Sequence, residues 1–62
     1  MRSEDIRPFL HQYVKLVKTD KFVLYGKILE VNDDCLRFET DAAVSLLSLD
    51  AIREIAQYKK RP

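Results

Sequence analysis

A single glycine inside a long strand-like pattern is the feature that most restricts the fold of this chain. From Phe22 to Val31 the sequence FVLYGKILEV alternates as in a β-strand, and at about ten residues it is long for a small domain. Gly26, the only glycine, stands where an inward side chain is expected. Because an isolated glycine in a strand commonly marks a bulge, a tight bend or a close backbone approach, we expect this strand to curve sharply enough to serve two sides of a barrel.

The rest of the chain combines a short helical pattern with further strand patterns. Ser3 and the two acids after it suit a helix start, and apolar residues recur at helical spacing as far as Tyr13. We therefore expect a helix over about residues 5–12, with Pro8 in its first turn. Predicted strands cover about residues 13–18, 22–31, 35–40, 43–48 and 52–56, before a basic tail at 59–62. The predicted fold is mainly β, a single domain with a short N-terminal α-helix and a strongly bent five-stranded antiparallel SH3-like barrel.

The length of the chain limits the stability of a monomer. A chain of 62 residues buries only about 60% of its unfolded surface. Cys35 is the only cysteine, which excludes an internal disulfide, and His11 is the only histidine, so four ligands for a structural zinc are lacking. No cofactor is expected. Association of subunits is the remaining way to supplement so small a core.

Composition and charge narrow the class of protein. Hydrophobic residues make up 47% and charged residues 34% of the chain, which is ordinary for a folded soluble domain. Eleven basic residues oppose ten acidic ones, so the basic excess that is typical of nucleic-acid binding is lacking. The apolar runs are too short for a membrane span, and the charged N-terminus does not resemble a signal peptide. The expected location is cytoplasmic, with no membrane partner.

The order and spacing of several short motifs resemble those of the Sm-like (LSm) proteins, and more narrowly the bacterial Hfq branch of that superfamily. Pro8-Phe9-Leu10 is similar to the proline-phenylalanine-leucine at the start of the Hfq helix. Gly26 and Ile28, followed by Asn32, resemble the family's glycine, aliphatic and turn residue, and Ala51-Ile52 falls where the last-strand motif has alanine and isoleucine. The resemblance covers nearly the whole chain and implies an Sm-like barrel.

The resemblance also implies a homo-oligomeric ring. In the family the fourth strand of one subunit pairs with the fifth strand of the next, which closes a hexamer or a heptamer and removes the exposed sheet edges. On this pattern the side chains at the interface are Val44 and Leu46 in the fourth strand and Ile52 and Ile55 in the fifth. The main expected partner is therefore the protein itself.

The chain departs from the family at the positions of the RNA pocket. Hfq has a glutamine and an aromatic residue after the turn acid, and a tyrosine-lysine-histidine triplet before the last strand. Here those positions hold Asp33, Asp34 and Ser48-Leu49-Asp50. Three acids per subunit around a pore repel phosphate, so the usual uridine pocket is not expected. Turn formation and capping explain these acids without a metal ion, and no metal site is expected.

Basic and aromatic residues elsewhere are the remaining candidates for contact with RNA. The stretch from Lys21 to Lys27 interleaves the two types, as in proteins that stack unpaired bases beside phosphate contacts. We expect Phe22 to belong to the core, which leaves Tyr25 on the opposite strand face for stacking, and Asn32 to be a left-handed turn residue. The complete set of candidates is Lys21, Tyr25, Lys27, Asn32, Arg37 and Arg53.

Two functions of different classes remain open. The first is a ring-forming Sm-like protein that binds RNA, of the riboregulatory or RNA-chaperone type, through a surface other than the usual pore. The second is an Sm-like scaffolding module without RNA affinity, which the near-zero net charge favours. A peptide-binding SH3-like monomer is disfavoured because the chain has no tryptophan. No catalytic group is positioned by the pattern, so neither an enzyme nor a small-molecule substrate is expected.

Overall fold

The computed structural model describes residues 1–59 and contains one antiparallel sheet preceded by a short helix. Helix α1, Ser3–Ile6, continues into a 3₁₀ turn, Arg7–Phe9. The strands are β1, Tyr13–Lys18; β2, Val23–Val31; β3, Cys35–Glu39; β4, Val44–Ser48; and β5, Ile52–Gln57, with a second 3₁₀ turn, Leu49–Ala51, before β5. The predicted mainly β fold class is confirmed. Of the basic tail predicted at 59–62, only Lys59 lies within the described residues.

The sheet is bent and open. Its strand order is β4-β3-β2-β1-β5, and all neighbouring strands are antiparallel. Strands β4 and β5 are both edges, so pairing within one subunit does not close the sheet into a barrel. The register shifts between Val17 and Lys18 and between Ile28 and Glu30. Such bulges increase the local twist and help a small sheet to wrap around its core.

The core lies on one face of the sheet and is closed by the N-terminal segment. Alternate residues of β1 and β3 point inward, as the sequence pattern predicts, and α1 contributes one side chain. Phe9 and four further apolar side chains pack around this core and remain half-buried. The buried core residues are Ile6, Val14, Leu16, Ile28, Leu36, Phe38, Leu49 and Ile52.

Gly26 is buried because the backbone of β3 passes close to it. A Cβ built on Gly26 would overlap the carbonyl oxygen of Glu39 and would lie 3.0 Å from Cε2 of Phe38. The φ of Gly26 is not positive, so this position needs glycine for space rather than for backbone conformation. The bulge of β2 lies further along, at Ile28–Glu30. Of the three roles expected for Gly26, the structure therefore assigns it the close backbone approach.

The helix predicted over residues 5–12 is wrong in its bounds. The α-helix ends at Ile6, and Pro8 lies in the first turn of the 3₁₀ segment that follows. Pro8 tolerates that place, but it stops the α-helix because a proline ring clashes with the carbonyl four residues earlier. His11, which was expected on the helix, has a φ of 65°, and its N–H donates to the carbonyl of Ile28 at 2.7 Å.

Phe22 is exposed, which corrects the expectation that it belongs to the core. The residue is 66% exposed and lies in the β1–β2 turn, before β2 begins. In that turn the N–H of Phe22 donates to the Asp20 carboxylate at 3.0 Å, and Lys21 adopts a φ of 73°. The turn therefore sets the direction of the Phe22 side chain, and the alternation of β2 does not extend to it.

Replacing Gly26 with alanine tests the close approach of β3. We expect Gly26→Ala to lower the free energy of unfolding by about 3 kcal/mol, because the new methyl group meets backbone atoms that cannot rotate away. Urea unfolding at a fixed protein concentration measures this change. The matched control is Glu30→Ala, an exposed residue of the same strand, for which we expect a change within about 0.5 kcal/mol. Equal stability of the two variants would contradict the packing described at Gly26.

Candidate nucleic-acid interface

The face of the sheet that points away from the core, called the outer face below, carries aromatic and basic side chains. Val14 and Leu16 point into the core, so their neighbours in β1 lie on the outer face. The register places Tyr13 opposite Lys27 and Lys15 opposite Tyr25 of β2. Directly opposed side chains in an antiparallel pair are about 5 Å apart at Cβ, so two tyrosines and two lysines alternate on a compact surface.

Three tyrosine rings meet on the outer face and form what we call the tyrosine cluster: Tyr13, Tyr25 and Tyr58. The ring centroid of Tyr58 lies 5.8 Å from that of Tyr13 and 5.0 Å from that of Tyr25, with tilted planes. The N–H of Tyr58 donates to the carbonyl of Tyr13 at 3.1 Å, which extends the β5–β1 pairing beyond the last residue of β5. Because β1 lies between β2 and β5, the Tyr58 ring reaches across β1 to contact Tyr25.

The lysines beside the tyrosine cluster are exposed and form no ion pair in the part of the chain that the structure describes. Within residues 1–59 the ion pairs are Arg2 with Glu4 and Lys18 with Asp20, so neither Lys15 nor Lys27 has an ion-pair partner there. Glu39 is the β3 residue opposite Lys27, yet the two side chains form no ion pair. Lys15, whose cross-strand neighbours are Tyr25 and Ala56, can therefore contact an anionic ligand. Glu39, by contrast, lowers the positive potential at Lys27.

The structure brings together only some of the residues predicted to contact RNA. Tyr25 and Lys27 both lie at the tyrosine cluster. Lys21 lies in the β1–β2 turn, and Arg53 lies where the β1–β5 register shifts. Arg37 is exposed on β3, opposite Glu30 on one side and Leu46 on the other. The six predicted residues are therefore spread over the molecule and do not form one site.

Asn32 lies apart from the tyrosine cluster, in the β2–β3 turn. Its N–H donates to the carbonyl of Cys35 at 2.8 Å, which closes the turn. Positive φ values of non-glycine residues occur within residues 1–59 only at His11 and Lys21. The expectation that Asn32 adopts a left-handed conformation is therefore wrong. The backbone hydrogen bond closes this turn without any residue of positive φ.

The three acids at the pocket positions line one shared cleft. Asp33, Asp34 and Asp50 border a cleft of about 610 Å³ together with Glu4 and Arg2. The N–H of Leu49 donates to the carbonyl of Asp34 at 3.0 Å, which holds the β2–β3 turn against the second 3₁₀ turn. No three His, Cys, Asp or Glu side chains in the described part of the chain are grouped so that they could hold a metal ion. The excess of carboxylates makes this cleft unfavourable for phosphate.

The predicted interface residues divide between the surface and the core. Val44 and Leu46 of edge strand β4 are 52% and 66% exposed and lie on the outer face. Ile52 is buried in the core of its own subunit, and Ile55 is half-buried against that core. The side chain of Ile52 is therefore not available to a partner, and a contact at β5 has to use its backbone and its exposed side chains.

Sequence reasoning missed three residues of the outer face: Tyr13, Lys15 and Tyr58. The outward direction of Tyr13 and Lys15 is predictable from the sequence, since both alternate with the inward-facing Val14 and Leu16. Tyr58 lies beyond the predicted end of the fifth strand at residue 56, whereas β5 extends to Gln57. The contact of Tyr58 with Tyr25 depends on the order of strands in the folded sheet, and no local sequence pattern indicates that order.

Comparisons with known proteins add no family name to this description. The chain matches no protein-family model, and no curated protein or solved structure matches it. Across residues 1–59, no helix has the length and apolar character needed to cross a bilayer. The fold and its surfaces define a small open antiparallel sheet with a short N-terminal helix, an apolar edge and an outer face that carries tyrosines and charges of both signs.

Removing the Tyr58 ring tests the tyrosine cluster. We expect Tyr58→Ala to lower the free energy of unfolding by about 1 kcal/mol, because two aromatic contacts are lost. For a domain of this size that corresponds to a melting temperature about 4–8 °C lower. Thermal unfolding followed by circular dichroism measures it. Tyr58→Phe keeps the ring and should match the parent, whereas an unchanged melting temperature for Tyr58→Ala would contradict the contacts.

Proposed function

We propose that this protein assembles into a closed homo-oligomeric ring of the Sm-like kind and that the ring binds RNA. The observation that carries the proposal is the open sheet, whose edge strand β4 exposes Val44 and Leu46. The resemblance of the sequence to Sm-like proteins supports the same arrangement. In this proposal the protein is not an enzyme, and its partners are further copies of itself and RNA.

Strand β4 lacks the features that normally protect a sheet edge. Soluble proteins protect edges with lysine, proline, inward-pointing charges or a covering segment. Residues 44–48 read VSLLS and contain neither a charge nor a proline, and Val44 and Leu46 are among the most exposed aliphatic side chains. An unprotected apolar edge of this kind favours pairing with another strand.

The second edge of the same sheet supplies that strand. Strand β5 carries the exposed charges Arg53 and Glu54, so the two edges differ in chemistry. A contact between two different edges is head-to-tail, and repetition of such a contact closes a ring when the rotation between subunits permits it. Ring closure would satisfy both rows of unpaired backbone groups and would add the burial that 62 residues lack.

The distribution of charge supports RNA as the ligand and the outer face as its place. The acids Asp33, Asp34 and Asp50 share one cleft, while Lys15 and Lys27 lie beside exposed tyrosines. The outer face, which carries Glu39 as well as the lysines, is therefore more favourable for phosphate than the cleft. The formal net charge of only +1 per chain predicts modest affinity. Contacts between lysine and phosphate predict that this affinity falls as the salt concentration rises.

The same near-zero charge favours the second candidate, a ring-forming scaffold without RNA affinity. Retention on immobilised RNA at low salt separates the two candidates. Binding that is lost at high salt supports RNA as the ligand, whereas failure to bind at low salt leaves only the scaffold.

A charged residue on the β4 edge tests the assembly. We expect Leu46→Lys to convert a ring of roughly six or seven chains into monomers, because lysine adds charge and side-chain entropy at the proposed contact. Leu46 is 66% exposed in the single chain, so the subunit fold should survive the change. Light scattering after size-exclusion chromatography gives the mass, and circular dichroism reports the fold.

Val23→Lys is the matched control for this experiment. Val23 is a 40% exposed aliphatic residue of β2, an internal strand of the sheet, and it pairs with Val17 of β1. The Val23→Lys variant should keep the mass of the parent. A monomeric parent protein, or a Leu46→Lys variant with the parent's oligomeric mass, would contradict assembly through β4.

A further inference from the structure

The tyrosine cluster is exposed in a way that packing of the sheet does not require. The rings of Tyr25 and Tyr58 lie on the outer face, opposite the core, and the two residues are 45% and 43% exposed. The planes of these rings meet at 57°, so neither ring covers the whole face of the other. Aromatic surface that faces water can accept another flat, apolar group.

The side chains around the tyrosine cluster define the charge of such a group. Lys15 lies opposite Tyr25, and Lys27 lies between Tyr13 of β1 and Glu39 of β3. Both lysines are exposed and lack ion-pair partners within residues 1–59. A ligand that fits this surface therefore combines flat rings with negative charges about one strand spacing, or about 5 Å, away from them.

Single-stranded nucleic acid has this combination. Its unpaired bases present flat faces to aromatic side chains, while its phosphates run alongside and attract lysine. In a duplex the base faces are covered by neighbouring base pairs, so a duplex offers only its phosphates to this surface.

We infer that the tyrosine cluster, with Lys15 and Lys27, binds single-stranded RNA by stacking unpaired bases on Tyr25 and Tyr58 while the lysines contact phosphates. This inference rests on the proposed RNA-binding function and assigns that function to one surface. It excludes the acidic cleft as the binding place. It also removes Lys21, Asn32 and Arg53 from the contact, because they lie away from the cluster.

The two kinds of contact have different signatures in binding experiments. Loss of a stacking ring weakens binding about fivefold or more at every salt concentration, because stacking does not release counterions. Loss of a phosphate-contacting lysine lowers the slope of log K against log salt by about 0.7 for each subunit that the strand engages. Fluorescence anisotropy with a short fluorescein-labelled single-stranded RNA of mixed sequence measures both quantities on the assembled protein.

The chain offers matched variants for each contact. Tyr25→Ala should weaken binding with an unchanged salt slope, whereas Tyr25→Phe should bind as the parent does. Phe22→Ala removes an even more exposed ring outside the cluster and should have no effect. Lys27→Gln should lower the salt slope, whereas Arg7→Gln removes one exposed positive charge outside the sheet and should not. Circular dichroism and light scattering confirm that each variant folds and assembles like the parent.

Intrinsic fluorescence gives a second readout that is specific to this surface. The chain contains three tyrosines and no tryptophan, and all three tyrosines belong to the cluster. Stacking of a base on these rings should quench the tyrosine emission. Duplex RNA at matched absorbance is the control and should quench less, because its base faces are covered.

The outcomes separate this inference from the proposed function on which it rests. Weakened binding by Tyr25→Ala, a lower salt slope for Lys27→Gln and quenching by single strands support the assignment. If the parent binds RNA but Tyr25→Ala and Lys27→Gln bind like the parent, RNA binding stands and the tyrosine cluster is overturned as its site. If the parent binds no single-stranded RNA at low salt, both the proposed RNA binding and its assigned site are overturned. Ring assembly is tested separately, by the mass of the protein in solution.

Discussion

The close approach of the β3 backbone to Gly26 is the constraint on which the rest of this structure depends. The Glu39 carbonyl occupies the space of a Cβ at Gly26, and the ring of Phe38 lies against the same position. This contact lets a sheet of five short strands bend over the largest core side chain. With a bulkier residue at position 26, β3 would have to move away, and the core around Phe38 would open.

Bending the sheet does not close it, and the open edges link the fold to the proposed assembly. The order β4-β3-β2-β1-β5 leaves two different edge strands, and β4 presents exposed aliphatic side chains. A chain this short gains little from its own core, so pairing of the edges would stabilise the subunit and define the oligomer together. The acidic cleft and the tyrosine cluster, being separate surfaces, would then give the ring regions of opposite chemistry.

Much of the fold could be predicted from the sequence because its signals are local. Alternation identified the strands, and the lone glycine indicated an unusual backbone position, which is the close approach of β3. Phe22 was wrongly assigned because turn hydrogen bonding overrides alternation at a strand end, and the helix because Pro8 ends it early. Of the binding surface, Tyr25 and Lys27 were identified, whereas Tyr58 joins them only through a strand order that local sequence does not determine.

Amide hydrogen exchange as a function of protein concentration measures whether β4 of one subunit pairs with β5 of the next. Half of the backbone amides in an edge strand point away from the sheet and exchange rapidly unless another strand covers them. If the two strands pair, these amides in Val44–Ser48 and Ile52–Gln57 are protected at high concentration and lose protection together on dilution, while those of β2 stay protected. Rapid exchange of both edges at every concentration would contradict pairing between subunits.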